Sequence, residues 1–572
     1  MIRVALVGLA LLAVTAPAAG AAVPVPRTSW VAVDRAPFRL AFSSGPSPLL
    51  AQRTGGSLEY TTGGGVLHRL TSLTATTGTP GVRSVYTVAT DEPGRTATVT
   101  VAATEAGAHV DVTLTPASGV AEVREAFAGS PAEHFLGGGE RPGYVDLRGQ
   151  APSLAVSVNC APAPAPFFLS TAGYGVFVHG NARGRFAFPA VPDVAPRGCA
   201  ARDDFAACAI APAAGQTQLC SQASSLSYDV YAGAPAAVMR AYTAAAGRTR
   251  VPPPSQFALI KWRDEVRGPG EVMDDIGQLQ SRGIPIGWVL LDNPWEAECI
   301  GRLVFDRSRI PDPAGLIRDV HAKGVRFMLW VSPMATCPES YPQSQLTGNP
   351  ATGAYTQVDL TKADAVAEFQ RRLRGVLALG VDGVKGDRAD EIDVGAPQNV
   401  YPVAFAQAVN AVLGERTPTF AEIFRAGWTG SQSALRGLWA GDQEGSFAGL
   451  AAAVRMAATA GVSGYPIWGS DTGGYQSTAL TPEVFVRWAQ LSAVSPVFEV
   501  GGRGPNATFW QFGDETTGLF RDAAILHYEL FPYLYALAQA AAATGEPILR
   551  PLGYQFPRDA ASWGTDLSLI HI

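Results

Sequence analysis

The sequence predicts a multidomain protein: an N-terminal β-sandwich followed by a (β/α)8 barrel. Three observations predict it. The chain has 572 residues, more than one domain usually holds. Residues 28–245 are rich in Thr, Val, Ser and Gly and alternate in polarity. After the proline-marked junction "RVPPPSQ", short apolar runs alternate with helical stretches up to about residue 545.

In the first half, "RTATVTVAATEAGAHVDVTLTP" alternates with turn residues between its runs, and "YGVFVHGNARGRFAF" reads as two short strands around a turn. Such strands, closely spaced, suit a sandwich. In the second half the apolar runs are 257–262, 287–292, 326–331, 382–387, 419–425, 437–442, 465–471 and 496–500. Helices fit between them, as in "PGEVMDDIGQLQSRG", "PAGLIRDVHAKG" and "KADAVAEFQRRLRGVLALG". Eight strand–helix repeats make a parallel barrel over residues 250–545. Long loops are expected after "WVSP" and "VKGD".

The N-terminus reads as a signal peptide over 1–22: Arg3, an apolar run from Val4 to Val14, then "APAAGAA". The run is short for a membrane span, and no later stretch reaches the ~18 apolar residues that spanning needs. The expected mature protein is therefore secreted, periplasmic or held at the cell surface, with no membrane span. Six cysteines after an export signal suggest disulfides. Cys199–Cys208, Cys160–Cys220 and Cys299–Cys337 are the expected pairs, among ~15 connectivities. No Cys-x-x-Cys or His-Glu-x-x-His occurs, and the seven histidines are scattered, so no metal site is expected. A net charge of −6 without a basic run argues against nucleic acid.

Four aspartates, Asp292, Asp387, Asp442 and Asp471, each close a strand-like run. Barrel strand ends converge on one mouth, where active sites are built. One such aspartate often only caps the next helix. Four together, near Trp295, Trp439 and Trp468, suit a sugar site, because rings stack on sugar faces while carboxylates bind hydroxyls. Glycoside hydrolysis needs one ionised and one protonated carboxyl across the scissile bond. Lys385 and Arg388 flank Asp387, and positive charge favours an ionised nucleophile. The neighbours of Asp442 are apolar or neutral until Glu444, which suits an acid.

From about residue 130 onward, the order of motifs resembles the family 31 glycoside hydrolases, the α-glucosidase and α-xylosidase group. "EHFLGGGERPGYVDLRG" and "APFFLSTAGYGVFVHG" resemble segments of its N-terminal, galactose-mutarotase-like sandwich. "VDGVKGDRADE" resembles the nucleophile motif, "LWAGDQEGSF" the acid/base motif, and "IFRAGWTGSQ" the segment with a sugar-contacting arginine. "YPIWGSDTGGY" resembles the segment whose aspartate shapes the −1 subsite. The resemblance implies Asp387 as nucleophile and Asp442 as acid/base. It implies Asp292, Lys385, Arg425 and Asp471 as substrate-binding residues, and Trp468 and Trp262 are further candidates for lining the pocket. Glu140 is expected to hold a loop against the barrel. The implied activity is an exo-acting, retaining α-glycosidase on α-linked oligosaccharides or glycosides, with no cofactor. The alternatives are a transglycosylase on the same site or a non-catalytic carbohydrate-binding relative.

The sequence departs from the family where sugars are read. In "SPVFEVGG", Glu499 stands in place of an arginine and Gly501 in place of a histidine. Asp292 is followed by Asn-Pro-Trp, and Asp390 and Glu391 stand at the end of the nucleophile motif. Glucose is therefore not assumed; galactose, xylose, a sulfonated sugar or a modified glucose stay open. Family members continue into C-terminal β-domains, so 546–572 is expected to be the start of a truncated one.

Overall fold

The structure is a computed structural model that describes residues 30–563, apart from 55–56, 159, 193, 195–207, 348–355, 392–397 and 478. The expected signal peptide and Cys199 lie outside the described residues. Among them, no helix is long and apolar enough to cross a membrane.

Polarity alternation in the first half becomes strands with one buried face. In Gly107–Thr115, Ala108, Val110, Val112 and Leu114 are buried while Thr113 and Thr115 are exposed. This strand pairs antiparallel with Thr96–Ala103. The strand Leu67–Thr79 belongs to two halves of one sheet: it pairs with Leu58–Thr62 at its start and with Arg83–Thr90 beyond. Side chains from both halves share one core, in which Val99, Val110 and Val230 meet Val123, Phe127 and Leu219. The twelve-stranded sheet is thereby folded into a sandwich. The "YGVFVHGNARGRFAF" strands, Tyr174–Val178 and Gly184–Ala187, form no hairpin. The first pairs with Pro164–Ser170 and Ser225–Ala232, and the second with Gln216–Ser221, so the chain crosses between halves.

The barrel strands are Ile260–Arg263, Trp288–Leu291, Arg326–Val331, Gly383–Gly386, Ala421–Phe424, Leu438–Trp439, Trp468–Gly469 with Asp471–Thr472, and Glu499–Val500. Each overlaps an expected apolar run, the first and seventh ending one residue beyond theirs, at Arg263 and Thr472. All neighbours are parallel, and Ile260 pairs with Glu499 to close the ring. The seventh strand breaks at Ser470: Trp468 pairs with Leu438, and Asp471 with Glu499. Ile260, Leu290, Met328, Ile423 and Val497 fill the interior, as a barrel of this size requires. Residues of opposite parity, such as Val289, Leu329, Val384 and Leu438, pack outward against the helices.

Helices follow seven of the strands. Asp312, Ser446 and Thr481 cap three of them with their side chains. The fifth repeat has only a 3-10 turn, Ser431–Ser433, where an α-helix was expected. Its glycines disfavour a helix, and Trp428 beside it is buried in the sandwich core. Long loops follow the third and fourth strands, and a further one, 292–312, follows the second.

The disulfides differ from expectation in one region. Cys208 bonds Cys220 rather than Cys199, because the chain before Gln216–Ser221 folds back beside that strand. Cys160, expected to pair with Cys220, is therefore bonded elsewhere. Cys299–Cys337 forms as expected and joins the loops after the second and third barrel strands.

Residues 546–563 hold two helical turns, Leu552–Gln555 and Ala560–Trp563, and no strand. Tyr554 packs with Phe167 and Tyr242, and Trp563 stacks on His134 at 4.3 Å. The expected start of a β-domain is thus helical as far as it is described. Residues 564–572 lie outside the described residues.

Sandwich and barrel meet through buried hydrogen bonds. The Gly139 and Arg141 amides donate to Ser463 Oγ and Thr459 Oγ1, both at 2.9 Å. Trp468 Nε1 donates to Glu140 Oε1 at 2.6 Å. Burial pushes the Glu140 carboxyl up to about 8 from an ordinary 4.5, so it stays protonated near neutrality. A raised pKa gives stability that is full at acid pH and lost as pH rises from 4.5 to about 8. Glu140→Gln, neutral at every pH, is expected to flatten the fall of Tm across that window. Thermal melts of both proteins at several pH values check it, and parallel curves would contradict it.

Candidate active site

Asp387 directly follows the fourth strand, and its amide donates to Val331 O at 2.9 Å. Its carboxylate accepts from Trp330 Nε1 at 2.9 Å and from the Arg388 amide at 2.6 Å. The second bond depends on a tight turn, in which Arg388 takes a φ of +63°, rare for a residue with a Cβ. Arg425 Nη1 adds an ion pair at 3.0 Å. Three groups thus face the candidate nucleophile from the third, fourth and fifth strands, each a donor or cation aimed at the carboxylate oxygens.

Arg425 is itself held. Its Nε and Nη2 grip Asp390 Oδ1 at 3.0 and 2.8 Å, and Nη2 also reaches Glu391 Oε1 at 2.7 Å. Asp390 and Glu391, at the end of the nucleophile motif, both act on this guanidinium, and Glu391 also supports its own turn by accepting from Arg388 Nη2 at 2.7 Å. The remaining Nη1 faces Asp387 and lies 3.8 Å from Asp442 Oδ1. Asp442, after the sixth strand, is 30% exposed. Burial pushes its carboxyl up to about 6 against the pull of Arg425, and Asp387 adds to the push.

Lys385 lies at the pocket floor, on the inward face of the fourth strand. Its Nζ sits 2.8 Å from Glu499 Oε2 and 3.2 Å from Asp471 Oδ1. It also lies over the Trp262 and Trp439 rings, 4.2 and 3.9 Å from their centroids. Burial alone would lower its pKa, but Asp471, Glu499 and Asp292 raise it above the ordinary lysine value. The ammonium is therefore permanent. Asp292 follows the second strand and accepts from the Asn293 amide at 2.7 Å. Burial lifts its carboxyl well above the usual range, against the pull of Lys385.

These groups surround a cavity of about 460 Å³ at the strand C-termini. Asp387, Asp442, Asp292, Lys385, Arg425 and Trp262 all line it. Asp471 does not: it is fully buried and acts through Lys385. Trp468 does not either. It pairs with Leu438 on the outward face, its indole is fully buried, and its N–H is committed to Glu140. Trp295 is likewise buried, donating to Trp330 O at 2.8 Å. Trp439, of opposite parity to Leu438, is the one of the three nearby tryptophans that lines the cavity.

Sequence reasoning missed Trp330, Asp264, Tyr475 and Arg503, which also line the cavity. Trp330 stands opposite Lys385 in strand register, a relation that spacing does not reveal. Asp264 accepts from Tyr475 Oη at 2.6 Å and from Arg503 Nε at 3.0 Å, and Tyr475 stacks on Trp262. Asp264 follows directly on the first strand, as Asp292 and Asp387 follow theirs, and that was its available signal.

The two altered positions now have a physical account. Glu499 is a buried partner of Lys385. Gly501 makes room for an indole: a Cβ there would lie 2.4 Å from Trp262 O and 2.6 Å from two atoms of its ring. Gly501→Ala is therefore expected to displace Trp262, raising KM and lowering Tm. Kinetics and melts on that variant check it; unchanged values would contradict the packing. Among the described residues, close groups of three metal-ligand side chains occur in the sandwich and not in this cavity.

Comparison with known proteins places the architecture. Residues 249–537 match the glycosyl hydrolases family 31 TIM-barrel domain. Residues 21–186 match the glycosyl hydrolase 31 N-terminal galactose mutarotase-like domain. The chain is 26% identical over 429 residues to alpha-xylosidase XylQ of Lactiplantibacillus pentosus, covering 69% of this chain and 53% of that protein. It is 25% identical over 492 residues to alpha-glucosidase 2 of Bacillus thermoamyloliquefaciens, covering 75% and 58%. The chain thus spans little more than half the length of these relatives. A GH31 sulfoquinovosidase from E. rectale shares the fold, with a TM-score of 0.75 at 19% identity, covering 94% of this chain and 88% of that one. With the barrel domain matched over half its length and the sandwich domain matched before it, the chain belongs to glycosyl hydrolase family 31.

Proposed function

We propose that this protein is an exported, exo-acting α-glycosidase that works with retention. One observation carries the reading: two carboxyls in one cavity have opposite environments. Asp387 accepts three charge-stabilising contacts, whereas Asp442 is lifted to about 6. Such a split is how acid and nucleophile are told apart. Both Oδ1 atoms contact Arg425 Nη1, at 3.0 and 3.8 Å. The sum of those distances barely reaches the ~6.5–9.5 Å that an intervening water needs, which favours direct attack.

Asp387 attacks C1 of the sugar, the C1–O bond breaks, and Asp442 protonates the departing oxygen. Asp442 then takes a proton from water, which attacks C1 and frees Asp387. Lys385, with Trp262 and Trp439 around it, offers a cationic and aromatic floor to the sugar. The disulfides Cys208–Cys220 and Cys299–Cys337 support an oxidising destination.

NMR of the first product released from a panel of aryl α-glycosides tests the reading. The α-anomer is expected first; a β-anomer would overturn retention, and silence across the panel would overturn the activity. An isomaltosyltransferase of Sporosarcina globispora is 25% identical over 521 residues, so the same tubes should be followed with sugar acceptors added. The acid must be protonated in the first step. Its form is lost as pH rises through about 6, so kcat/KM is expected to fall about tenfold per pH unit above that value. A pH–rate profile checks it; a flat limb to pH 8 would remove Asp442 from the acid role.

A further inference from the structure

Three adjacent strands of the sandwich bring His109, Asp229 and His179 side by side. Ser225–Ala232 is flanked by Gly107–Thr115 and Tyr174–Val178. His109 is the direct cross-strand partner of Asp229. The His179 amide continues the pairing by donating to Ser227 O at 2.8 Å. Asp229 Oδ1 lies 2.7 Å from His109 Nδ1, and its Oδ2 lies 2.9 Å from His179 Nε2. The two imidazoles meet edge to face at 5.3 Å. One ligand atom from each residue falls within 4.8 Å of the other two. Both rings are about a third exposed, at 28% and 34%, so an ion reaches them from solvent, while Asp229 is buried.

A second layer is present. His109 Nε2 lies 3.2 Å from Asp111 Oδ1, and Tyr231 Oη donates to Asp229 Oδ2 at 2.8 Å. Metal-binding imidazoles commonly give their distal N–H to a carboxylate, which fixes the ring and raises its basicity. None of these five residues lines the catalytic cavity.

We propose that His109, His179 and Asp229 bind one divalent transition ion of the Zn²⁺ class, with solvent as fourth ligand. Two imidazoles and a carboxylate suit that class, and magnesium or calcium would ask for more oxygens. The nitrogen–oxygen pairs, now at 2.7 and 2.9 Å, need to part to about 3.3 Å, the edge of a tetrahedron with ~2.0–2.1 Å bonds, and one Asp229 oxygen has to turn toward both rings. His109 Nδ1 and His179 Nε2 give up any hydrogen they carry, which moves to the other ring nitrogen or to solvent. The ion then joins three strands at one point.

Calorimetric titration of Zn²⁺ into the metal-free, tag-free full chain tests the site. One ion per chain is expected, with a raised Tm. His109→Ala/His179→Ala is expected to abolish that binding, and Asp111→Asn to weaken it roughly 10–100-fold. X-ray absorption at the zinc edge of the wild type gives a measure independent of variant folding. It is expected to show only nitrogen and oxygen ligands, two of them imidazoles. No binding by the wild type, full affinity in the double variant, or sulfur ligation would each overturn the proposal.

Discussion

Asp387→Asn is expected to leave a folded protein whose hydrolytic rate falls by roughly 10⁴-fold or more, the scale of losing a nucleophile from intact machinery. The side chain keeps its shape, and an amide oxygen can still accept from Trp330 Nε1 or the Arg388 amide, which now hold the carboxylate at 2.9 and 2.6 Å. What disappears is the negative charge that attacks C1 and pairs with Arg425 Nη1. Circular dichroism and melting should resemble the wild type while turnover of aryl α-glycosides vanishes. Retention of more than a hundredth of the wild-type kcat would remove Asp387 from the nucleophile role. Asp442→Ala should separate from it: with activated leaving groups it should lose far less than with alkyl glycosides, because good leaving groups need little acid help.

Lys385→Met is expected to cause the largest loss of stability. The ammonium lies between Asp471 and Glu499, all three with side chains no more than 1% exposed. Removing one partner from a buried ionic group costs about 3–5 kcal/mol, because the remaining charge is stranded. The sign of the pH dependence follows. Burial already lifts the Asp471 carboxyl well above the usual range against the pull of Lys385, and without that pull it is lifted further, so the deficit grows as pH rises and shrinks toward acid. Adding Glu499→Gln should recover part of the loss, giving a non-additive pair. Denaturant unfolding of the wild type, both single variants and the double variant reads this out. A Lys385→Met loss below about 1 kcal/mol would mean that no charge is stranded, and the ion-pair account would fail.

The barrel was legible because its strands are buried on both faces and so appear as apolar runs bounded by turns. The strand-end aspartates were legible for the same reason, since a charge after such a run stands out. Side-chain direction was read less well. Trp468 is three residues from Asp471, and in an extended strand that odd spacing puts the two on opposite faces. Parity alone would have excluded its indole from the mouth. The role of Asp390 and Glu391 depended on Arg425, more than thirty residues away, and no local pattern links them. The fifth helix failed where "AGWTGSQ" supplies too many glycines and a tryptophan claimed by the other domain. The His109, His179 and Asp229 grouping is invisible to motif spacing, because its members come from three strands scattered along the chain.

The seam at Gly139, Glu140 and Arg141 bears on how this protein can be taken apart. Three consecutive residues of the sandwich end on Ser463, Trp468 and Thr459 of the barrel. In return Asn399, on the barrel side, accepts from the Val156 amide and donates to Leu154 O, both at 3.0 Å. Expressing the barrel alone would bare these donors and acceptors on a surface built to be dry. The two domains are therefore not interchangeable cassettes. A chimera that imports a foreign sandwich must import its matching barrel helix and seventh strand as well, and heredity has to pass the pair on as one unit.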